Sequence, residues 1–210
     1  MDFALATKLF AALFAIMNPL TNLPIFLSVT EGKGAKQHAA IALTGAVATF
    51  MILLVVLFAG NGILRFFGIT VDDFRIAGGI LILAIAFSML HVQTSQINHT
   101  HEESVEGREK DNPGIFPLAI PLLAGPGSMT TVIVFAHRAE GFANKLLCAG
   151  VLFAVCVLIY ITFAMGERIS AWLGATGMNI VTRIMGMVLA AIAVGMIVNG
   201  VANAVPALQK

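Results

Sequence analysis

Residues 18–24 read Asn18-Pro19-Leu20-Thr21-Asn22-Leu23-Pro24, in the middle of an apolar run that extends from residue 3 to residue 29. A helix that spans a bilayer needs roughly 20 such apolar residues. Proline removes a backbone donor and clashes with the preceding turn, so Pro19 and Pro24, flanked by Asn18, Thr21 and Asn22, should open the helix at mid-membrane. Freed backbone groups cannot face hydrocarbon, so they must face protein or a watery cavity. A secretory signal would show a basic start and a small-residue cleavage site. Here Asp2 precedes Lys8 and the run continues through the prolines, so it reads as a retained first membrane segment.

The rest of the chain fits that reading. Of 210 residues, 59% are hydrophobic and 11% charged, against about 25% charged in soluble domains. Mean hydropathy is +0.94. The formal net charge of +1 provides no basic field to draw in nucleic acid. Six apolar segments emerge: residues 3–29, 40–64, 76–92, 115–136, 146–166 and 184–205. Cys148 and Cys156 sit eight residues apart within one of them. A rise of ~1.5 Å per residue separates them too far for a disulfide, so they read as packing residues.

The connections are short except at residues 93–113, a run rich in His, Glu, Arg, Lys and Asp. This polar loop divides the chain into 1–92 and 114–210, and the halves repeat one another. Residues 120–126, Ile120-Pro121-Leu122-Leu123-Ala124-Gly125-Pro126, match the first stretch in having two prolines five apart. Arg75-Ile76-Ala77-Gly78-Gly79-Ile80-Leu81 recurs 108 residues later as Arg183-Ile184-Met185-Gly186-Met187-Val188-Leu189. Before each stands a Gly-x-Thr, at Gly68-Ile69-Thr70 and Gly174-Ala175-Thr176. Three helices is an odd number, so the second half must enter the membrane inverted. The expected fold is therefore all-α: a polytopic membrane protein of six transmembrane helices, built as two inverted three-helix repeats with helices one and four broken. This architecture is common among secondary transporters. Orientation does not follow, since Lys8, Arg65, Arg75, Arg138, Lys145 and Lys210 on one side balance Lys33, Lys36, Arg108, Lys110, Arg168 and Arg183 on the other.

The amino ends of broken helices favour anionic groups, and their unwound carbonyls favour cations. A zwitterion needs both. The candidate substrate-binding residues are therefore Asn18, Pro19, Thr21, Asn22 and Pro24 in the first half. In the second they are Pro121, Gly125, Pro126, Gly127, Ser128 and Thr131. The bland alternative is that the prolines only kink packed helices. No Asp, Glu, Lys or His lies centrally in a segment, which suits a small neutral or zwitterionic substrate over a proton relay. Arg75 and Arg183 read as openings of their helices that snorkel to the interface, with an ion pair to Asp72 or Asp73 as the alternative. Gly78, Gly79, Gly186 and Gly195 read as packing residues. His99-Thr100-His101-Glu102 lacks a distal ligand and reads as solvated loop, not a metal site. No catalytic residues, metal or cofactor are expected, and an enzyme ranks last among the readings.

The stretch Asn-Pro-x-x-Asn-Leu-Pro-Ile-Phe at 18–26 is the first of three motifs that carry a resemblance. The second is Phe-x-Gly-Ile-x-x-x-x-Phe-Arg-Ile-Ala-Gly-Gly-Ile at 66–80. The third is Pro-Leu-Ala-Ile-Pro-Leu-Leu-Ala-Gly-Pro-Gly at 117–127. Together they resemble the MarC family, named for multiple antibiotic resistance, over nearly the whole chain. The resemblance implies a multi-pass inner-membrane protein of the kind found in bacteria and archaea, distantly similar to LysE-type exporters. Some relatives are described as carriers of small neutral amino acids such as glycine and alanine. The implied activity is therefore amino-acid transport of a small zwitterionic substrate, with H+ or Na+ as a compatible coupling cation and a homo-oligomer compatible with the fold. The alternative is a non-transporting inner-membrane assembly or stress-response protein acting through residues 93–113.

Overall fold

The computed structural model describes residues 2–91 and 114–204. The polar loop and its His99–Glu102 cluster lie outside the described residues. Among the described residues every regular element is helical: α1 (Phe3–Met17), α2 (Leu23–Val29), α3 (Ala35–Phe66), α4 (Val71–Leu90), a π-helical segment (Gly114–Leu123), α5 (Pro126–Arg138), α6 (Gly141–Ala164) and α7 (Gly166–Ala204). Four of these, α3, α4, α6 and α7, are long and apolar enough to cross a membrane, and α1 is a shorter apolar helix. A third or less of each long apolar span is buried inside the protein (33% for α3, α4 and α6, 22% for α7). The remaining apolar faces carry side chains such as Phe58, Phe153, Ile80 and Val198, all exposed. Only hydrocarbon covers helices that are apolar all round, so this is an integral membrane protein.

The first and fourth expected segments contain no continuous spanning helix. α1 ends at Met17, and Asn18 takes the left-handed conformation at φ 31°. Residues 19–22 form turns, and α2 restarts at Leu23. In the fourth segment the wide π turns give way to a bend at Ala124 and Gly125 before α5 begins. Prolines at 117 and 121 withhold two donors from the ordinary ladder, and wider turns are one way for the backbone to adapt. Pro24 and Pro126 play a different part from the one expected. Each lies in the first turn of a restarting helix, where the missing N–H is an orphan in any case.

Boundaries shift elsewhere. The sixth segment starts as a helix at Gly166, not at residue 184, and continues to Ala204 across a break at Gly174, φ 61° and ψ 178°. Arg183 therefore lies inside a long helix rather than opening one. Arg75 is the fifth residue of α4.

Four glycines adopt positive φ, and they form two pairs in chain order. Gly32 (φ 78°) lies before α3 and Gly141 (φ 78°) is the first residue of α6, while Gly68 (φ 69°) and Gly174 (φ 61°) precede α4 and the long part of α7. At Gly68 the requirement is explicit. Gly68 N–H donates to Arg65 O at 3.1 Å and Ile69 N–H to Leu64 O at 2.9 Å, a Schellman closure that needs a left-handed residue. Thr70 then caps α4, its hydroxyl accepting from Asp73 N–H at 3.1 Å.

Packing follows small residues. A Cβ on Gly79 would lie 3.0 Å from Ala193 O, and one on Gly200 would lie 3.1 Å from Asp72 O, so α4 and α7 approach backbone to backbone. α3 packs along α6, and α5 sits among α1, α3 and α4 with most of its length buried. Phe26 of α2 stacks on Phe163 of α6 at 4.7 Å. Cys148 and Cys156 are free and buried in α6, as their spacing requires. Asp2 N–H donates to Asn144 at the start of α6, and Asn203 near the end of α7 donates to Asp72 at the start of α4. Lys8, Arg75, Arg138 and Asn199 share one cavity. The described ends of the chain thus lie at the same end of the bundle.

Candidate functional site

The break after α1 is held by its own amides. Asn22 Nδ2 donates to Met17 O at 2.7 Å, satisfying a carbonyl that α1 leaves open at its end. Asn18 Oδ1 accepts from Thr21 N–H at 3.3 Å. Thr21 Oγ1 lies 3.2 Å from Thr182 Oγ1 of α7. The break before α5 closes in a related way, with Ser128 Oγ donating to Leu123 O at 2.7 Å. Gly125 is the N-cap of α5. Gly127 lies close to both α1 and α4, since a Cβ there would stand 3.4 Å from Ile16 Cγ2 and 3.1 Å from Ile82 Cγ1.

The two breaks therefore meet where the end of α1 touches the start of α5. Of the expected residues, Asn18, Gly127, Ser128 and Thr131 are buried in this region. Pro19 is buried in the turn. Pro24 and Pro126 are exposed, and Thr21 turns toward α7 instead of α5. Pro121 contributes through the π-helical backbone. Asn22 uses its amide nitrogen to cap the end of α1.

Among the described residues, buried side-chain atoms without a hydrogen-bond partner include Asn18 Nδ2, Arg75 Nε and Thr131 Oγ1. Buried polar groups are satisfied almost everywhere in proteins, so each exception asks for a ligand, a water or a function. Asn18 Nδ2 belongs to the breaks. The other two belong to a cavity of about 310 Å³ formed by α1, α4, α5 and α7. Its deep residues are Ala12, Arg75, Thr131 and Val134, and Lys8, Arg138 and Asn199 are exposed at its rim.

Arg75 does not snorkel. It is 3% exposed, and its Nη1 donates to Asp72 Oδ1 at 2.6 Å. The ion-pair alternative is the one realised. Sequence reasoning missed Lys8 and Arg138 as site residues, because each by itself reads as a cation at a membrane boundary. A usable signal existed in their assignment to the same side as Arg75. Among the described residues, no three His, Cys, Asp or Glu side chains gather where they could hold a metal ion.

The family described as MarC family integral membrane protein matches residues 3–205. The chain is 38% identical to the UPF0056 membrane protein YvbG of Bacillus subtilis, over 100% of both chains. It is 37% identical to the UPF0056 membrane protein YhcE of Escherichia coli, over 99% of this chain and 96% of the relative. With the UPF0056 membrane protein MJ1677 of Methanocaldococcus jannaschii it shares 38% identity, over 97% and 99%. No solved structure matches the chain.

Proposed function

From the premise that this chain belongs to the MarC family of integral membrane proteins, we propose that it is a secondary transporter of small neutral amino acids, of glycine or alanine size, across the inner membrane. The observation that carries the reading is the meeting of two interrupted membrane segments, with the Asn18 Nδ2 donor buried there and unpartnered. A zwitterion that leaves water must exchange its hydration for protein donors and acceptors, since each unsatisfied polar group costs several kcal/mol. The unwound backbone of residues 18–22 and the amino end of α5 offer both kinds. Substrate would lie between residues 18–22 and 125–131, in contact with Asn18, Gly125, Gly127, Ser128 and Thr131. The protein binds and moves this solute without transforming it.

The proposal includes two inverted three-helix repeats. What supports them is the pairing of Gly32 with Gly141 and of Gly68 with Gly174 in backbone conformation. Both described ends at one end of the bundle also fit an odd number of crossings in each half. Alternating access would then be a rocking of one repeat against the other about the shared breaks.

Uptake of radiolabelled glycine and alanine into liposomes holding the purified protein tests the reading, with imposed H+ and Na+ gradients to find the coupling cation. Saturable uptake is expected, abolished in Gly127→Leu, whose side chain would enter the contact of α1, α4 and α5. Uptake no faster than in protein-free liposomes under every gradient would sink it.

A further inference from the structure

The cavity between α1, α4, α5 and α7 lies on the side of the breaks toward the chain's ends. Three cations line it, Lys8, Arg75 and Arg138, and one carboxylate lies beside it, Asp72. Asp72 is already engaged by Arg75 and by Asn203 Nδ2 at 3.2 Å. Among the described residues, the lining holds no carboxylate to balance the other two positive charges, Lys8 and Arg138. Arg75 and Arg138 line the same cavity. In a span whose outer faces meet lipid, such an arrangement is costly unless an anion completes it.

Two further features separate this cavity from a chance gathering of interfacial cations. Arg75 Nε is buried and has no partner, although a guanidinium carries five N–H donors in a fixed fork. Thr131, 1% exposed and also lining the cavity, has an unpartnered hydroxyl. Snorkelling explains exposed Lys8 and Arg138, but it does not explain a buried guanidinium whose Nε lacks an acceptor. A group with several acceptor oxygens and negative charge would satisfy all of these at once. The volume of about 310 Å³ lies near the small end of ligand pockets, which suits a compact headgroup.

We propose that this cavity binds a phosphate-type oxyanion, held by Arg75 and Thr131 at the floor and by Lys8 and Arg138 at the rim. The same chemistry comes from two sources: a soluble phosphate ester entering from water, or the headgroup of an anionic phospholipid. The proposal does not rest on the transport reading, although Thr131 stands at the boundary of both sites. Among the described residues its lining holds no free carboxylate to receive an ammonium group, so its chemistry favours an anion over a zwitterion.

The test uses the full-length protein in nanodiscs. In phosphatidylcholine nanodiscs, glycerol 3-phosphate is titrated by calorimetry. In nanodiscs of mixed phosphatidylcholine and phosphatidylglycerol, native mass spectrometry reads which lipid stays with the protein. Saturable binding is expected in at least one arm, the soluble arm pointing to a free ester and the lipid arm to a headgroup. Lys8→Gln and Arg138→Gln, both exposed positions that fold as the parent does, should each weaken it about tenfold, as loss of a charge-assisted contact does. Lys145→Gln, a cation at the same end of the bundle but outside the cavity, should leave it unchanged. Binding in neither arm overturns the proposal, as does binding that Lys8→Gln and Arg138→Gln leave intact.

Discussion

Arg75 and Arg183 open the same seven-residue pattern, yet the protein treats them differently. Arg75 is buried at 3% exposure, paired with Asp72 and set in a cavity. Arg183 is exposed. The cause lies just before each arginine. Three residues upstream stand Asp72 in the first half and Ile180 in the second, and one residue upstream stand Phe74 and Thr182. Asp72 gives Arg75 an internal partner one helical turn away. Thr182 instead meets Thr21 at the first break. The paired glycines take positive φ in both halves, while the side chains around the two arginines differ. The same sequence pattern thus sits in different chemical surroundings in each half.

The glycines within the pattern test this comparison most severely. A Cβ on Gly78 would fall 2.0 Å from Thr130 Cγ2 and 2.6 Å from Thr130 Cβ. Thr130 is branched at Cβ and its hydroxyl donates to Pro126 O at 2.8 Å, so it cannot swing away. Gly78→Ala should therefore cost about 3 kcal/mol, the upper end of overpacking penalties. At Gly186 the nearest atom would be Met89 Cβ at 3.0 Å, and Gly186→Ala should cost about 1 kcal/mol or less. Thermal melting in detergent checks both, and equal losses would show that the two halves pack alike after all.

The arginines come next. Arg75→Leu strips Asp72, whose side chain is 31% exposed, of its charged partner. A loss of about 2 kcal/mol is expected, below the 3–5 typical of a fully buried pair. Arg183→Leu should cost no more than about 1 kcal/mol, since an exposed charge contributes little even where it has a partner. Denaturant titration of the two variants side by side measures the difference, and a larger loss at Arg183 would reverse the comparison.

The turns sharpen it further. Gly174, at φ 61° and ψ 178°, occupies a region that is essentially glycine-only. Gly174→Ala should cost about 1.5 kcal/mol, and Gly68→Ala about 1 kcal/mol through its left-handed closure. Neither position has an atom within 4 Å of an added Cβ, so backbone strain is the only cause acting. Unchanged melting in both variants would mean the turns are not held to these conformations.

The smallest effect concerns the first break. Asn22→Leu removes the donor to Met17 O and should lower stability by about 1 kcal/mol while leaving substrate affinity of the folded protein unchanged. A binding titration that showed lost affinity with unaltered melting would return Asn22 from scaffold to site.

Composition and order in the chain determined a good deal by themselves. So much apolar surface with so few charges is compatible only with lipid, and Asn18-Pro19 marks a break because proline cannot supply the donor a helix needs. The repeated Gly-x-Thr was legible as a repeat, and the structure adds that Gly68 and Gly174 both take positive φ, a backbone only glycine adopts without strain. The functions of Pro24 and Pro126 as starts of helices were less legible, because a proline reads the same whether it ends one helix or begins the next. Only the tertiary structure decided the cavity. Lys8, Arg75 and Arg138 are far apart in sequence, and no local pattern links them. They converge because Gly79 and Gly200 let α4 and α7 close on each other while the small residues of α5 let it sink between α1 and α4. A cation's burial, unlike a helix break, depends on what packs beside it.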